Sequence, residues 1–207
     1  MKKAVLCVSR TGLMSQFNAT ETGLHTIDFN KISVEELHYI NRSVCDSKDQ
    51  AVIDAIASKL PQVLPYVSIN TRDGKFLTYS RSKGAESRLH GTLSLGFGGH
   101  CDLSDYSVDE SITWAMLEGF DREMQEELAY DSSALTEANF TTAIVDMTNP
   151  VGSVHLGLYT AIVVANESVV IPNLDEIAAP EWVDLAWLKS NIHRFESWSQ
   201  MIIKDYL

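Results

Sequence analysis

The spacing of apolar residues predicts a small N-terminal part made of strands and helices. The stretch KKAVLCV predicts a first strand, and TIDFN predicts a second one. A helix is expected from Ser33, because Ser33 and Glu36 have the spacing of a capping box. A further helix is predicted over DQAVIDAIASKL, where apolar residues recur at helical intervals.

Beyond this helix the pattern changes to strands around one long helix. Pro61 and Pro65 mark the change, so we expect an N-terminal α+β subdomain over residues 1–62 and a second domain over residues 63–207. YVSIN and KFLTYSR enclose an Asp-Gly turn, which predicts a hairpin. A helix is predicted from about residue 108 to 128, followed by strands FTTAIVDM and SVHLGLYTAIVV and by two closing helices.

Composition narrows the class of protein. With 45% hydrophobic residues and no window of 18 consecutive apolar residues, the sequence predicts a protein that does not cross a membrane. Cys7, Cys45 and Cys101 show no C-x-x-C spacing, which favours neither a disulfide framework nor a zinc site. We therefore expect a cytoplasmic protein.

The charge is strongly negative but unevenly distributed. A net charge of -12 argues against wrapping by nucleic acid, which requires a surplus of cations on one face. From Asp102 to Glu137 there are eleven acids and one base, whereas from Arg72 to Arg88 there are five bases and two acids. Divalent cations together with phosphates would explain both segments.

The acidic segment places three carboxylates on one helical face. Glu123, Glu126 and Glu127 are neighbours at a period of 3.6 residues, and each like-charged pair costs only about 0.2–0.5 kcal/mol. A solvated helix would tolerate this repulsion. Upstream, however, GFGGH forms a glycine turn, and carboxylates near such a turn are suitable ligands for Mg²⁺.

These residues resemble the Nudix hydrolase family, the MutT-like proteins. The family's box is G-x5-E-x7-R-E-U-x-E-E-x-G-U, where U is a bulky apolar residue, and residues 122–130 match its second half except at Ala129. The resemblance extends in order and spacing over roughly residues 66–190. It implies an α/β fold, a Nudix-like α/β/α sandwich with a mixed β-sheet, to which the N-terminal α+β subdomain is an appendage.

The resemblance also implies a site and a reaction. Arg122, Glu123 and Glu127 would be catalytic, with Arg122 orienting the glutamates. The metal ligands would be Glu123, Glu126, Glu127 and a backbone carbonyl from Gly98 or Gly99. The cofactor would be Mg²⁺, with Mn²⁺ as an alternative. The reaction implied is hydrolysis of a diphosphate linkage in a nucleoside diphosphate linked to another moiety, a phosphoric-anhydride pyrophosphohydrolase activity.

Two positions depart from the family's box. Trp114 stands where the box has its first Glu, so either Glu118 or Glu110 replaces that residue or the ion pair with Arg122 is absent. Ala129 replaces a glycine that ends the helix in a left-handed conformation, which would cost about 1 kcal/mol. Both changes bear on catalysis and leave the carboxylates in place.

The sequence pattern indicates the substrate-binding residues less clearly than the metal-binding residues. Arg81 and Arg88 are our candidates for binding phosphate, since they flank the loop that leads to the glycine strand. His100 and His155 are either substrate contacts or internally bonded histidines. The general base is left open among Glu167, Asp175, Glu176 and the glutamates of the box.

Three functions remain as alternatives. The first is the hydrolase, acting on a small nucleotide-type substrate. The second is a non-catalytic Nudix-like module that binds or senses a nucleotide, motivated by Trp114 and Ala129. The third is an interaction protein that acts through its N-terminal subdomain, which could also mediate a homodimer.

Overall fold

The computed structural model describes residues 4–81, 91–106, 112–129, 140–205 and 207. The chain divides into two compact units, each built from three segments. The first unit comprises residues 1–65, 99–120 and 140–159, and the second comprises residues 66–98, 121–139 and 160–207. The boundary expected between residues 62 and 63 falls at the start of a ten-residue strand, Gln62–Thr71.

Strands make up much of the described chain. In chain order they are β1 (Ala4–Val8), β2 (Gly23–Thr26), β3 (Leu37–Asn41), β4 (Gln62–Thr71), β5 (Lys75–Ser80), β6 (Leu93–Ser94), β7 (Gly96–Phe97), β8 (Leu128–Ala129), β9 (Thr142–Val145), β10 (His155–Val164), β11 (Ile171–Pro172) and β12 (Ala178–Asp184).

The helices are mostly short. In chain order they are α1 (Arg10–Leu13), α2 (Arg42–Cys45), α3 (Gln50–Val52), α4 (Ile112–Glu127), α5 (Leu185–Ser190) and α6 (Ser197–Asp205). Helix α3 continues into a wider π-helical turn at Ile53–Ala57, so the predicted second helix of the N-terminal part is present. None of the helices in the described ranges has the length and apolar character needed to cross a bilayer.

Strand β1 pairs with two other strands of the chain. It pairs antiparallel with β3 along its whole length, and it meets β4 where Cys7 pairs with Gln62. Its last four residues are completely buried, which explains why the sequence here is continuously apolar. In the first unit β9 pairs antiparallel with both β10 and β2.

One half-buried cation, Arg10, connects three loops of the first unit. The guanidinium group of Arg10 donates hydrogen bonds to the backbone carbonyls of Ser58, Ala19 and Ser153, the last two at 2.6 Å. Burial lowers the pKa of Arg10. Because a guanidinium has donors in a fixed planar fork, it can bind several carbonyls at once.

The second unit contains the predicted hairpin. Strands β4 and β5 pair antiparallel around a turn in which Gly74 has φ +85°, a conformation that favours glycine. Strand β12 pairs with β5 on the far side, while β6 and β7 pair with β5 and β4. Helix α6 buries Trp198, whose ring meets that of Tyr66 edge-on at 5.4 Å.

The long predicted helix is present as α4. Its apolar residues Ala115, Met116, Phe120 and Met124 are all buried, and they recur at the spacing of one helical face. The other side carries the acidic residues. The helix therefore has the amphipathic character that the sequence predicts.

Two predictions for the N-terminal part are wrong. Ser33 begins only a single turn, Val34–Glu36, which leads directly into β3. The capping box does not form, because the Ser33 hydroxyl binds Glu35 and the Glu36 carboxylate binds the Ser9 hydroxyl.

The predicted strand TIDFN is also mostly absent. Strand β2 ends at Thr26, and Asp28 instead caps a 3-10 turn by accepting a hydrogen bond from the Asn30 backbone. Asp side chains commonly compete with strand pairing in this way. Cys7, Cys45 and Cys101 are buried thiols, and none of these three described residues is in a disulfide.

Candidate functional site

The glycine turn and the end of helix α4 meet within the second unit. The backbone of Gly98 is near enough to the carboxylate of Glu127 to lower the pKa of that group, against the effect of burial. Gly98 has φ +140°, a conformation that residues with a Cβ rarely adopt. The glycine is therefore required by the backbone of the turn, and a metal-binding carbonyl of Gly98 or Gly99 stays a prediction.

Glu127 is a buried carboxyl group with one oxygen unbound. Burial and, after it, the negative charge of Glu123 raise the pKa of Glu127 to about 7, while Arg81 and the Gly98 backbone act in the opposite direction. Its Oε2 atom is buried and has no hydrogen-bond partner among the described residues. A buried acceptor without a partner costs about 1–3 kcal/mol, so a cation at this atom would be stabilising.

Arg122 lies against two of the three glutamates. Its Nη1 atom is 2.7 Å from Oε1 of Glu123 and 3.6 Å from Oε1 of Glu126. The Glu123 side chain is 23% exposed, whereas that of Glu126 is 60% exposed. Glu123 and Glu127 therefore form the sheltered pair, and Glu126 lies at the solvent-exposed edge.

The end of helix α4 differs from the expectation for Ala129. Leu128 and Ala129 form strand β8, which pairs antiparallel with β11. Among the described non-glycine residues only Ala179 has a positive φ, so the left-handed conformation expected for Ala129 is wrong. The backbone and side-chain amides of Asn173 donate to the carbonyls of Glu127 and Glu126, both at 2.8 Å, and thereby replace the expected glycine cap.

Arg81 lies beside this carboxylate in the second unit. Its Nη1 atom donates to the Tyr79 hydroxyl at 3.4 Å. Burial alone lowers the pKa of Arg81, but attraction to Tyr79, Glu196 and Glu127 outweighs it and the pKa is raised. Arg81 is thus a charged residue close to Glu127, and its contact with phosphate stays a prediction. Arg88 lies outside the described residues.

The two candidate histidines belong to the first unit, as does Gly99. The rings of His100 and His155 are 5.7 Å apart. His155 Nδ1 is 2.7 Å from the Val151 carbonyl, and its Nε2 is 3.0 Å from the Gln62 amide nitrogen. These two bonds require a neutral ring with its proton on Nδ1. His155 is therefore held internally, and substrate contacts of His100 and His155 stay predictions.

The structure describes only some of the positions at which the sequence departs from the Nudix box. Trp114 is 46% exposed, and Glu118 is an exposed residue of α4. Glu110 lies outside the described residues. Of the candidates for the general base, Glu176 is near enough to Glu127 to raise the pKa of that carboxyl group.

The residues present fit a divalent cation that is only partly enclosed by protein. Within the described ranges no three Asp, Glu, His or Cys side chains are grouped so that together they could hold a metal ion. Mg²⁺, however, usually binds one or two carboxylates and keeps several waters and substrate phosphates as its other ligands. Glu123 and Glu127 can supply that pair.

Sequence reasoning missed two residues of this site. Asn173 fixes the helix end through its bond to Glu126, 47 positions earlier in the chain, and Tyr79 binds Arg81 from strand β5. No spacing in the sequence indicates the first contact. The alternation of strand β5 places Tyr79 and Arg81 on one side, which is a signal that could have linked them.

Comparison with known proteins defines the fold. No family model matches the sequence. Tm1382, a protein assigned as a Nudix hydrolase, has a crystal structure similar to this chain, with a TM-score of 0.71 and 22% identity over 97% of this chain and 96% of that one. DR0079 from Deinococcus radiodurans gives a TM-score of 0.52 at 13% identity, over 87% and 97% of the two chains.

A third similar structure contains ligands. It is a bifunctional NMN adenylyltransferase/ADP-ribose pyrophosphatase from Francisella tularensis, complexed with AMP and a manganese ion. The TM-score is 0.51 at 17% identity, and the match covers 69% of this chain and 40% of that protein.

The protein therefore has the Nudix fold, which confirms the predicted resemblance and the predicted α/β architecture. Protein YmaB of Bacillus subtilis (strain 168) is 33% identical over 147 residues, covering 70% of each sequence. The chain belongs to the same family as Protein YmaB.

Proposed function

We propose that this protein is a pyrophosphohydrolase that uses Mg²⁺, or alternatively Mn²⁺, to hydrolyse the diphosphate linkage of a nucleoside diphosphate joined to another moiety. The observation that carries the proposal is the unbound Oε2 atom of Glu127, buried beside Glu123 at the glycine turn. Two sheltered carboxylates at this position repel each other, and a hard divalent cation would compensate both.

The residues around this pair have complementary tasks in the proposed enzyme. Glu123 and Glu127 would hold the cation, and Arg122 would fix the rotamer of Glu123 through its 2.7 Å contact. The backbone of Gly98 would lie beside the second carboxylate, that of Glu127. A bound divalent cation would neutralise phosphate charge and lower the pKa of a water molecule.

Arg81 would add positive charge on the same side. Glu127 is among the groups that raise the pKa of Arg81, which supports this role, and a guanidinium is well suited to bind a phosphate through two parallel hydrogen bonds. The net charge of -12 would otherwise repel an anionic substrate, so a local cation is needed for binding.

The similar structures support the class of substrate. The Francisella tularensis protein is named in part as an ADP-ribose pyrophosphatase and was crystallised with AMP and manganese. We extend from it the expectation of a nucleotide-type substrate and a divalent ion. A cytoplasmic location and a homodimer stay predictions.

A turnover assay tests the proposal. ADP-ribose, diadenosine polyphosphates, nucleotide sugars and nucleoside triphosphates would be incubated with the protein at millimolar Mg²⁺ or Mn²⁺. We expect release of a nucleoside monophosphate from at least one compound. Glu127→Gln should reduce this rate by at least roughly 100-fold, because it changes a metal ligand and not merely a supporting group.

Glu181→Gln is the matched control, since Glu181 is an exposed carboxylate of strand β12. This control substitution removes one negative charge, as Glu127→Gln does, but at a residue outside the Glu123–Glu127 pair. It should therefore keep the wild-type rate. Equal rates for the wild type and Glu127→Gln, with both proteins folded by circular dichroism, would refute the metal role of Glu127.

The exposed Trp114 favours a second candidate, a non-catalytic nucleotide-binding module. Trp114 occupies the position of the first glutamate in the box, and its side chain is 46% exposed. An exposed indole can stack on a base. Saturable binding of the same compounds without any turnover would support this function over hydrolysis.

A further inference from the structure

Asn173 binds the end of helix α4 through two hydrogen bonds within the second unit. Its backbone N–H donates to the carbonyl of Glu127, and its side-chain amide donates to the carbonyl of Glu126, both at 2.8 Å. The last four carbonyls of an α-helix have no partner within the helix itself. A single residue therefore supplies donors to the last two carbonyls of α4.

The acceptor atoms of the same residue bind the turn that follows it. The side-chain oxygen of Asn173 accepts a hydrogen bond from the Asp175 backbone at 3.1 Å. Its carbonyl accepts from the backbone N–H groups of Glu176 and Ile177, at 3.1 Å and 3.0 Å. Residues 173–177 form a turn, which we call the acidic turn, and Asn173 connects it to the end of α4.

The preceding strand cannot supply the bonds to the helix. Strand β11 consists of Ile171–Pro172, and Pro172 lies opposite Leu128, the residue that follows α4. Proline has no backbone N–H, so it cannot donate a hydrogen bond to the helix end. Asn173 is the first residue after β11 with a backbone donor, and its side chain adds a second one.

The end of α4 carries charges that disfavour its last turn. The C-terminus of a helix is the negative end of its macrodipole, where cations are stabilising and anions are not. The last turn of α4 contains Glu126 and Glu127 and no basic residue, and Glu123 lies one turn earlier. The dipole and the repulsion among these carboxylates both favour opening of this turn, so bonds from outside the helix are needed to keep it closed.

We propose that Asn173 is a positioning residue for the cation-binding carboxylates. By binding the last turn of α4 and the acidic turn at once, it keeps Glu127 on the helical face that it shares with Glu123. The same bonds hold the acidic turn, which bears two of the candidate general bases, at this end of the helix. The inference rests on the proposed function for its cation, but the state of the helix end can be measured without metal or substrate.

Two substitutions separate the two sets of bonds. In Asn173→Ser the hydroxyl can still accept from the N–H two residues later, but the shorter side chain does not reach the Glu126 carbonyl. Asn173→Ala removes both side-chain bonds, so the difference between the two variants measures the bond within the acidic turn. Asn173 is exposed, and neither change should prevent folding.

The first measurement is made by NMR on the metal-free protein. It follows the carbonyl ¹³C resonances and the amide exchange of Glu126 and Glu127. In Asn173→Ser we expect the Glu126 carbonyl resonance to move and the exchange of both amides to accelerate roughly five- to tenfold, the equilibrium weight of one hydrogen bond.

Asn166→Ser is the matched control from the same unit. The side-chain oxygen of Asn166 accepts from the Ser168 backbone at 3.0 Å, two residues later, as that of Asn173 does from Asp175. Asn166 caps its own turn, Glu167–Val169. This substitution should leave the resonances of Glu126 and Glu127 and the affinity for Mn²⁺ unchanged.

The second measurement is the affinity for Mn²⁺ alone, by calorimetry or by electron paramagnetic resonance. Asn173→Ser should weaken it by roughly tenfold, the lower end of the range for groups that support a metal ligand. In the turnover assay the Mn²⁺ concentration that gives half the maximal rate should rise by the same factor, while the rate at saturating Mn²⁺ stays within about twofold. A general loss of folded protein would instead lower the rate at saturating Mn²⁺.

The outcomes distinguish this inference from the proposed function. An unchanged helix end or an unchanged Mn²⁺ affinity in folded Asn173→Ser would overturn the positioning role, whatever the turnover of the wild type. A wild-type protein that binds Mn²⁺ but hydrolyses none of the compounds would overturn the proposed function alone. A wild-type protein that binds no Mn²⁺ would overturn both.

Discussion

At Glu127, burial and a neighbouring negative charge act together on the pKa of one carboxyl group. Burial and the neighbouring Glu123 raise the pKa of its carboxyl group to about 7, from an ordinary value of 4.5. Between these two values the folded protein binds a proton that the unfolded chain has released. The contribution of Glu127 to the free energy of unfolding is therefore largest below pH 4.5 and is lost as the pH rises through 7.

The size of this effect can be measured by comparison with Glu127→Gln. The shift corresponds to about 3 kcal/mol, so in chelator the variant should gain up to about that much stability relative to the wild type between pH 5 and pH 8. Urea unfolding at several pH values measures the difference. A difference that does not change with pH would contradict the raised pKa of Glu127.

At the scale of elements, Gly96 shows how a close approach fixes strand β7. Gly96→Ala would place a Cβ 2.0 Å from the Tyr66 ring and should lower the free energy of unfolding by about 3 kcal/mol, the upper end of the range for overpacking. Gly74→Ala is the control, because nothing lies within 4 Å of its Cβ and only the positive φ is penalised, by about 1 kcal/mol. Similar losses for both would contradict the steric argument.

Arg10 joins three loops of the first unit through backbone carbonyls. Arg10→Lys leaves one ammonium group for carbonyls that lie in separate directions, so we expect a loss of about 2–4 kcal/mol in the free energy of unfolding. Arg42→Lys is a matched control, since Arg42 forms an exposed pair with Asp46 and should lose less than about 0.5 kcal/mol. Chemical denaturation of both variants makes the comparison.

The sequence predicted those helices and strands that are determined by residues close to one another in the chain. Helix α4 follows from its apolar spacing, and the β4–β5 hairpin follows from its Asp-Gly turn. The helix expected at Ser33 was wrong, because Glu36 binds Ser9, a residue that lies far away in the sequence. The cap of Ala129 was wrong for the same reason, since Asn173 supplies it. Long-range hydrogen bonds leave no periodic signal.

For the whole molecule, the strong negative charge predicts a response to divalent ions. The net charge is -12, and the carboxylate pair lacks a compensating group at Glu127 Oε2 among the described residues. A cation that binds only the folded state adds about 2.7 kcal/mol to the free energy of unfolding when its free concentration is about one hundred times its Kd. For a chain of this size this corresponds to a rise in Tm of roughly 5–10 °C.

This rise in Tm should depend on the pair and not on general charge screening. Mn²⁺ or Mg²⁺ should raise the Tm of the wild type, and chelator should reverse the change, whereas Glu127→Gln should respond only as it does to NaCl of equal ionic strength. Differential scanning calorimetry gives the three values. An equal rise in Tm for the variant would place the cation elsewhere on the protein.

The last turn of helix α4 is completed by the amides of Asn173, the residue just after strand β11. Asn173 binds the carbonyls of Glu126 and Glu127, and Leu128–Ala129 pairs with the residues just before it. A synthetic peptide of residues 112–129 would consequently fray at the end that bears its glutamates. Transplanting this glutamate motif into another scaffold would succeed only if the partner segment around residues 171–173 travelled with it.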